Sequence, residues 1–156
     1  MKSVYRVLAY LMALEVVVQA AAIAFAMFGL VTWIDRGGVL DAAAVQSEST
    51  TFVGVAGFPV HAINGQLVVP AIALALLLVS FFARIPGGVL WAGLVVAAVA
   101  VQVLLGILAH GAPYLGLLHG IMAIVLLGCA VAAARRAELA PAGPARPAER
   151  GTAGVV

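Results

Sequence analysis

Charge is the scarcest property of this chain. Asp, Glu, Lys and Arg together make up 9% of its 156 residues, against roughly a quarter in a soluble domain. Too few polar groups remain to cover a water-facing surface, which excludes an ordinary soluble globule. Cysteine is nearly absent. Cys129 stands alone inside an apolar run, so no internal disulfide forms, and the residue reads as small core filling. There is no Gly-rich phosphate loop, no Cys/His zinc spacing and no Ser/His/Asp grouping with an exposed elbow. The net charge of +2 does not point to nucleic acid, because the basic residues sit at the ends of apolar segments rather than on one face.

What the chain has is hydrophobicity: 65% of its residues are apolar, with a mean hydropathy of +1.22. Crossing the hydrocarbon core takes about 20 apolar residues. Four segments qualify: residues 5–34, 58–83, 89–110 and 113–134. The expectation is an all-α, integral membrane, up-down four-helix bundle over residues 1–136. The run over residues 7–34 is too long for a signal-peptide core of about 7–15 residues and contains Glu15 and Gln19. It reads as a retained first transmembrane helix that doubles as the insertion signal. Ile85-Pro86-Gly87-Gly88 and His110-Gly111-Ala112-Pro113 punctuate the chain as tight turns. Pro59 and Pro113 suit a first helical turn, whereas Pro70 should kink the second helix. The tail, residues 137–156, is rich in Ala, Pro and Gly and is expected to be disordered, since it cannot bury enough surface to offset its ordering entropy.

Only one connection is long, and it carries Asp35, Arg36, Asp41 and Glu48. The opposite ends of the segments collect Lys2, Arg6, Arg84, Arg135 and Arg136. Basic excess faces the cytoplasm, so both termini are expected inside and the long loop outside, in a bacterial cytoplasmic (inner) membrane. Trp33, Trp91 and Tyr114 fall near segment ends, where amphipathic rings favour the interface.

The segments also pair. Segment one contains Val16-Val17-Val18-Gln19 and segment three Val99-Ala100-Val101-Gln102; segment two contains His61-Ala62-Ile63 and segment four His119-Gly120-Ile121. The chain thus reads as a possible two-fold repeat of a Gln-bearing helix followed by a His-bearing one, although apolar sequence also produces such matches by coincidence. In an up-down bundle the second and fourth helices are diagonal partners. His119 lies about 9 Å past Pro113 at 1.5 Å per residue. For His61 to reach the same depth, the second helix must begin earlier than Pro59, near Phe52, and the first two helices must project together beyond the membrane.

The three histidines, His61, His110 and His119, all fall in the outer half under this topology. Ionisable groups at membrane depth are costly and usually face the interior with a partner. Imidazole is also an axial ligand of heme iron. His61 and His119, facing each other across the axis, are the candidate metal ligands, and the candidate cofactor is heme b. Gly65, Gly106 and Gly116 would let a flat macrocycle approach the backbone, or would simply let helices pack closely. His110 reads as interfacial, with contact to a heme propionate or ligand replacement as the functional alternatives. Arg36 is a candidate propionate partner, against a solvated charge paired with Asp35 or Asp41. Glu15 and Gln19 share one face of the first helix, and with Gln102 could form one buried polar cluster. The functional reading of that cluster is a proton path or quinone contact; the plainer one is interhelical hydrogen bonding worth about 0.6 kcal/mol each. Asn64 and Gln66 are placed to orient His61.

The stretch Val101-Gln102-Val103-Leu104-Leu105-Gly106-Ile107-Leu108, followed by Leu117-Leu118-His119-Gly120-Ile121-Met122-Ala123, resembles the second helix pair of one half of heme A synthase. There a Gln-x-x-x-Gly helix precedes a helix carrying an axial His, and each four-helix half presents one His from its second helix and one from its fourth. The resemblance assigns those positions to His61 and His119. This chain has one four-helix unit where the synthase has two, no cysteine pair in its outer loop, and Phe58-Pro59-Val60 and Ala62-Ile63-Asn64 around His61 where the family has Glu and Arg. The resemblance therefore implies a heme-binding bundle rather than farnesyl-heme oxidation. The length and helix pattern are also similar to small uncharacterised bacterial four-helix membrane proteins. Two functions follow as expectations: a b-type cytochrome for electron transfer or redox sensing, with a membrane redox partner; or a non-enzymatic accessory subunit of a larger membrane complex or homo-oligomer, without a cofactor.

Overall fold

The computed structural model describes residues 1–46 and 50–140. It is helical throughout, with no strand among the described residues. The elements are α1 (Lys2–Asp35), α2 (Ala42–Gln46), α3 (Gly57–Ile63), a π turn (Asn64–Val68), α4 (Val69–Ala83), α5 (Gly88–Leu108) and α6 (Tyr114–Leu139). α3, the π turn and α4 run on as one helix, Gly57–Ala83, so there are four helices among the described residues long and apolar enough to cross a membrane. α6 continues past the expected boundary at residue 134. Of the expected tail, residues 141–156 lie outside the described residues, as does Glu48 of the long loop.

The helices pack in a closed ring. α1 lies against α3, α4 and α6, and α5 lies against α4 and α6. The helix Gly57–Ala83 and α6 therefore take diagonal positions, as do α1 and α5. Short turns after Ala83 and Leu108 leave no room for any other order of neighbours. The start of α1 meets the start of α5, where the buried Tyr5 hydroxyl donates to the Gly88 carbonyl at 2.9 Å. It also meets the end of α6, where Tyr10 Oη donates to Glu138 Oε1 at 2.8 Å. Arg136 lies over the Trp91 ring, 5.7 Å from its centroid. Arg6, Arg84, Arg135 and Arg136 belong to this basic end.

Packing differs along the bundle. At the basic end the core is built from alanine: Ala9, Ala73, Ala92, Ala130, Ala133 and Ala134 are buried, around the fully buried Tyr5, Met12, Leu76 and Val95. Apolar side chains gain nothing by leaving lipid, so close backbone approach between small residues, rather than a hydrophobic drive, holds this half together. Toward the loop end the alanine packing gives way to a cavity.

At 1.5 Å per residue α1 is about 51 Å long, well beyond the roughly 30 Å hydrocarbon core. The surplus is at the loop end, because a Cβ on Gly57, which opens α3, would strike Ala22 and Ala26 in mid-α1. From Phe52 the chain climbs along the projecting part of α1 in hydrogen-bonded turns, Val55 N–H to Phe52 O at 3.1 Å and Gly57 N–H to Gly54 O at 2.8 Å. These are turns rather than helix because Gly54 takes φ 101°, a left-handed value that only glycine adopts freely. Gly29 and Gly54 let the two backbones touch: a Cβ on Gly29 would hit the Val53 carbonyl, and one on Gly54 the Phe25 carbonyl. Trp33 stacks on Phe52 with centroids 5.9 Å apart, and Phe52 meets Phe58 edge-on at 6.4 Å. The two helices thus project together, with regular helix beginning at Gly57 instead of Phe52.

Candidate functional site

Pro70 is the second residue of α4, and the π turn ends just before α4 begins. Proline has no N–H to give, and its ring crowds the carbonyl four residues back, here Gln66. The interruption expected at Pro70 is thus a wide turn, placed immediately ahead of the proline. Its effect is on phase. Buried positions in α4 fall at Val69, Ala73, Leu76, Ser80 and Ala83. Two α turns span about 7.2 residues, so His61, eight residues before Val69, would swing off that face in an unbroken α-helix. A π turn holds one extra residue and returns Gly57, His61 and Gly65 to the inside.

His61 then faces His119 of α6 across the bundle. Their ring centroids are 6.1 Å apart and their planes cross at 68°. Each ring is held by the glutamine of the preceding spanning helix. His119 Nδ1 lies 2.9 Å from the Gln102 backbone carbonyl, and its Nε2 lies 3.2 Å from Gln102 Nε2. One tautomer satisfies both: Nδ1–H donates to the carbonyl, and Nε2 accepts from the amide. His61 is held differently. Its Nδ1 lies 3.1 Å from the Gln19 backbone carbonyl and, with the Gln19 side-chain amide turned so that its oxygen meets the Gly65 N–H, 2.7 Å from Gln19 Nε2. It donates to the first as one tautomer and accepts from the second as the other. Gln19 Nε2 also donates to His61 O at 3.0 Å, and Gln19 Oε1 accepts from Gly65 N–H at 2.9 Å and Asn64 Nδ2 at 3.2 Å.

The two rings border a cavity of about 570 Å³ lined by residues of all four spanning helices, within the usual range for small-molecule and cofactor sites. Its walls are largely Val, Ile, Leu, Ala and Gly; the polar groups reaching it are Gln19, His61, Gln66, Gln102, His110 and His119. Gln102 Oε1 is buried and has no hydrogen-bond partner.

The remaining expected site residues divide. Gly65 and Gly106 line the cavity, but their immediate neighbours are side chains of the site itself. A Cβ on Gly106 would sit 3.2 Å from His119 Cε1, and one on Gly65 would sit 3.4 Å from the end of Gln19. Gly116 is not part of the site. It lies one turn nearer the loop end, exposed, with open space beside it, and Gly120 is the α6 glycine that lines the cavity. His110 borders the cavity mouth and is exposed. Its Nδ1 lies 3.2 Å from the carbonyls of Gly106 and Ile107, where it caps the end of α5. Arg36 is not brought to the site: it caps α1, about 25 Å along the helix axis from Gln19 at 1.5 Å per residue. Asp41 Oδ1 accepts the Ala44 N–H at 2.7 Å, the role of an N-cap for α2.

Glu15 and Gln19 join one network through Asn64, and Gln102 stands apart from it. Gln102 belongs to His119 and Gln19 to His61, while Glu15 Oε2 accepts from Asn64 Nδ2 at 2.7 Å. Gln66 lines the cavity, and the orienting of His61 falls to Gln19. The glutamine–histidine contacts are what sequence reasoning missed. The signal available for them was the repeated order of a Gln helix before a His helix. Among known proteins the chain matches no family model, no curated sequence and no solved structure.

Proposed function

We propose that this chain is a small membrane b-type cytochrome that holds heme b between His61 and His119 and serves electron transfer or redox sensing. The observation that carries the reading is the opposed His pair across an apolar cavity, each Nδ1 beside a backbone carbonyl. The ring centroids lie 6.1 Å apart, so both imidazoles would be the residues to hold one metal ion at this place. A carbonyl at Nδ1 is the usual partner of a ligating histidine, fixing its tautomer and raising its basicity. His119 Nε2 would exchange the Gln102 amide for iron, and the Gln102 side chain has no other hydrogen bond to hold it in place. When bound, heme supplies one-electron chemistry. The residues around it would orient two imidazoles, each with Nδ1 on a backbone carbonyl, within largely apolar walls.

The same reading includes orientation and origin. The basic end, with Lys2, Arg6, Arg84, Arg135 and Arg136, favours the cytoplasmic side of a bacterial inner membrane, which puts the cavity nearer the outer face. The matching Gln19–His61 and Gln102–His119 contacts support descent from a duplicated helix pair. The resemblance to heme A synthase rests on the residues quoted for it.

The test is an absorption spectrum of detergent-purified protein made with ample heme. A reduced-minus-oxidised α-band is expected, lost in His61→Ala and in His119→Ala; a colourless wild type sinks the proposal. A second reading, an accessory subunit without cofactor, draws on Gly116 and Gly128 of α6, which are exposed and have open space beside them, as in faces where membrane helices dock. A stoichiometric partner or a second copy co-purifying with colourless protein would favour it.

A further inference from the structure

Glu15 is the one acidic side chain in the interior of the four spans, since Asp35 and Glu138 sit at helix ends. It does not line the cavity, and the heme reading gives it no task. Its hydrogen bond is to a neutral amide: Asn64 Nδ2 donates to Glu15 Oε2 at 2.7 Å. Asn64 opens the π turn, and the same Nδ2 lies 3.2 Å from Gln19 Oε1, while Gln19 Nε2 is 2.7 Å from His61 Nδ1. Four residues on two helices thus form an unbroken chain from a carboxyl to an imidazole. The elements packed against α1 bring few other titratable groups to this depth. α3 carries only His61, α4 none, and α5 none along Gly88–Leu108; α6 carries Tyr114 at its loop end, then His119 and Cys129 before Arg135. On α1 itself Tyr10, near the basic end, is engaged by Glu138. Lys and Arg are absent from the interior of the spans. Ionisable side chains within membrane spans mark functional sites, proton relays among them.

We propose that Glu15 is a proton-exchange site whose charge is transmitted to His61 through Asn64 and Gln19; the redox half of this inference rests on the heme reading above. Positive charge gained at the His pair would favour the ionised form of Glu15, and loss of that charge its neutral form. Two features suit the chain to this task. Coulomb interaction is strong where water is excluded. In the heme-free chain His61 has two alternative bonds at Nδ1, so a change in the polarity of the Gln19 amide shifts its tautomer balance, whereas His119 is locked; with Nε2 on a metal, Nδ1 would keep its proton and only the electrostatic coupling would remain.

The test has two arms, both on the full chain. The first needs no heme. With ¹⁵N-labelled histidine in detergent, the His61 ring nitrogens are expected to follow the titration of a carboxyl seen in the infrared. His119 should not follow it. Glu15→Gln removes that step from His61, and Asn64→Leu uncouples it while the carboxyl still titrates. His61 signals unaltered by Glu15→Gln, in protein of wild-type helicity, overturn the proposal. The second arm uses heme-loaded protein. Its midpoint potential should fall as pH rises through the same step, because a carboxylate favours the oxidised site, and Glu15→Gln should flatten the slope. An α-band with a slope that Glu15→Gln leaves unchanged overturns the coupling and keeps the cytochrome. No α-band, with the histidine response intact, overturns the cytochrome and keeps the proton site.

Discussion

The two histidines do similar work from differently built helices. His119 stands on an uninterrupted helix, and its ring is held at both nitrogens by one residue, Gln102. His61 precedes a π turn, and its Nδ1 has a choice between the carbonyl and the amide of Gln19. One side is fixed in phase and tautomer; the other reaches the same cavity through a compensated helix and keeps an adjustable bond. The difference teaches that the two rings are held with unequal freedom. Interruptions of this kind in α-helices are frequent at functional sites, and here the interruption also presents Asn64 to Glu15.

One-residue deletions test the comparison most severely. Removing Ile124, an exposed residue of α6, turns everything on one side of it by about 100° relative to the other. His119 should leave the cavity, and the α-band should vanish. Removing Leu67, an exposed residue of the π turn, should convert that turn to an ordinary α turn. It leaves His61 seven residues before the next inward position, close to two α turns of about 7.2 residues. The band should survive with unchanged far-ultraviolet circular dichroism. Equal losses from the two deletions would erase the proposed contrast.

Smaller substitutions probe the same contrast. Gly106→Ala pushes on the His119 ring from 3.2 Å, tighter than an ordinary contact, whereas Gly65→Ala meets Gln19 at 3.4 Å. We expect Gly106→Ala to weaken heme affinity by roughly 10-fold or more, the lower end of the cost of disturbing a ligand's support. Gly65→Ala should cost several-fold less, as measured by heme titration. His110→Ala and Arg36→Ala should come last, each leaving the spectrum and affinity within about 2-fold. His110 binds its own helix end, where removal of one exposed contact costs little, and Arg36 is about 25 Å of helix away from Gln19.

Much of the frame was legible in the residues. Ile85-Pro86-Gly87-Gly88 and His110-Gly111-Ala112-Pro113 mark both short turns, and the observed helices end and restart within them. The helix starting near Phe52 was half legible. Matching the depths of His61 and His119 requires the projection, but Gly54 with its positive φ turns the approach into a string of turns. Gly116 and Arg36 lie away from the cavity, and the sequence points to them for a common reason. Each was assigned by nearness to a histidine, Gly116 along the sequence and Arg36 by lying on the same side of the membrane. A position one turn too far along a helix, or about 25 Å away on a projecting one, does not meet the cavity.

The sequence by itself determined that this is a membrane protein of four spanning helices, because crossing lipid depends on hydropathy summed over about 20 residues, and every such sum is local. It also determined which residues had any chemistry to offer, since so few are polar. Only the tertiary structure decided how they combine. The direction of His61 depends on phase accumulated through a π turn, the hold on each histidine depends on a glutamine from another helix, and Glu15 finds Asn64 49 positions away. Phase and long-range contact are properties of packed helices, and no window of sequence contains them.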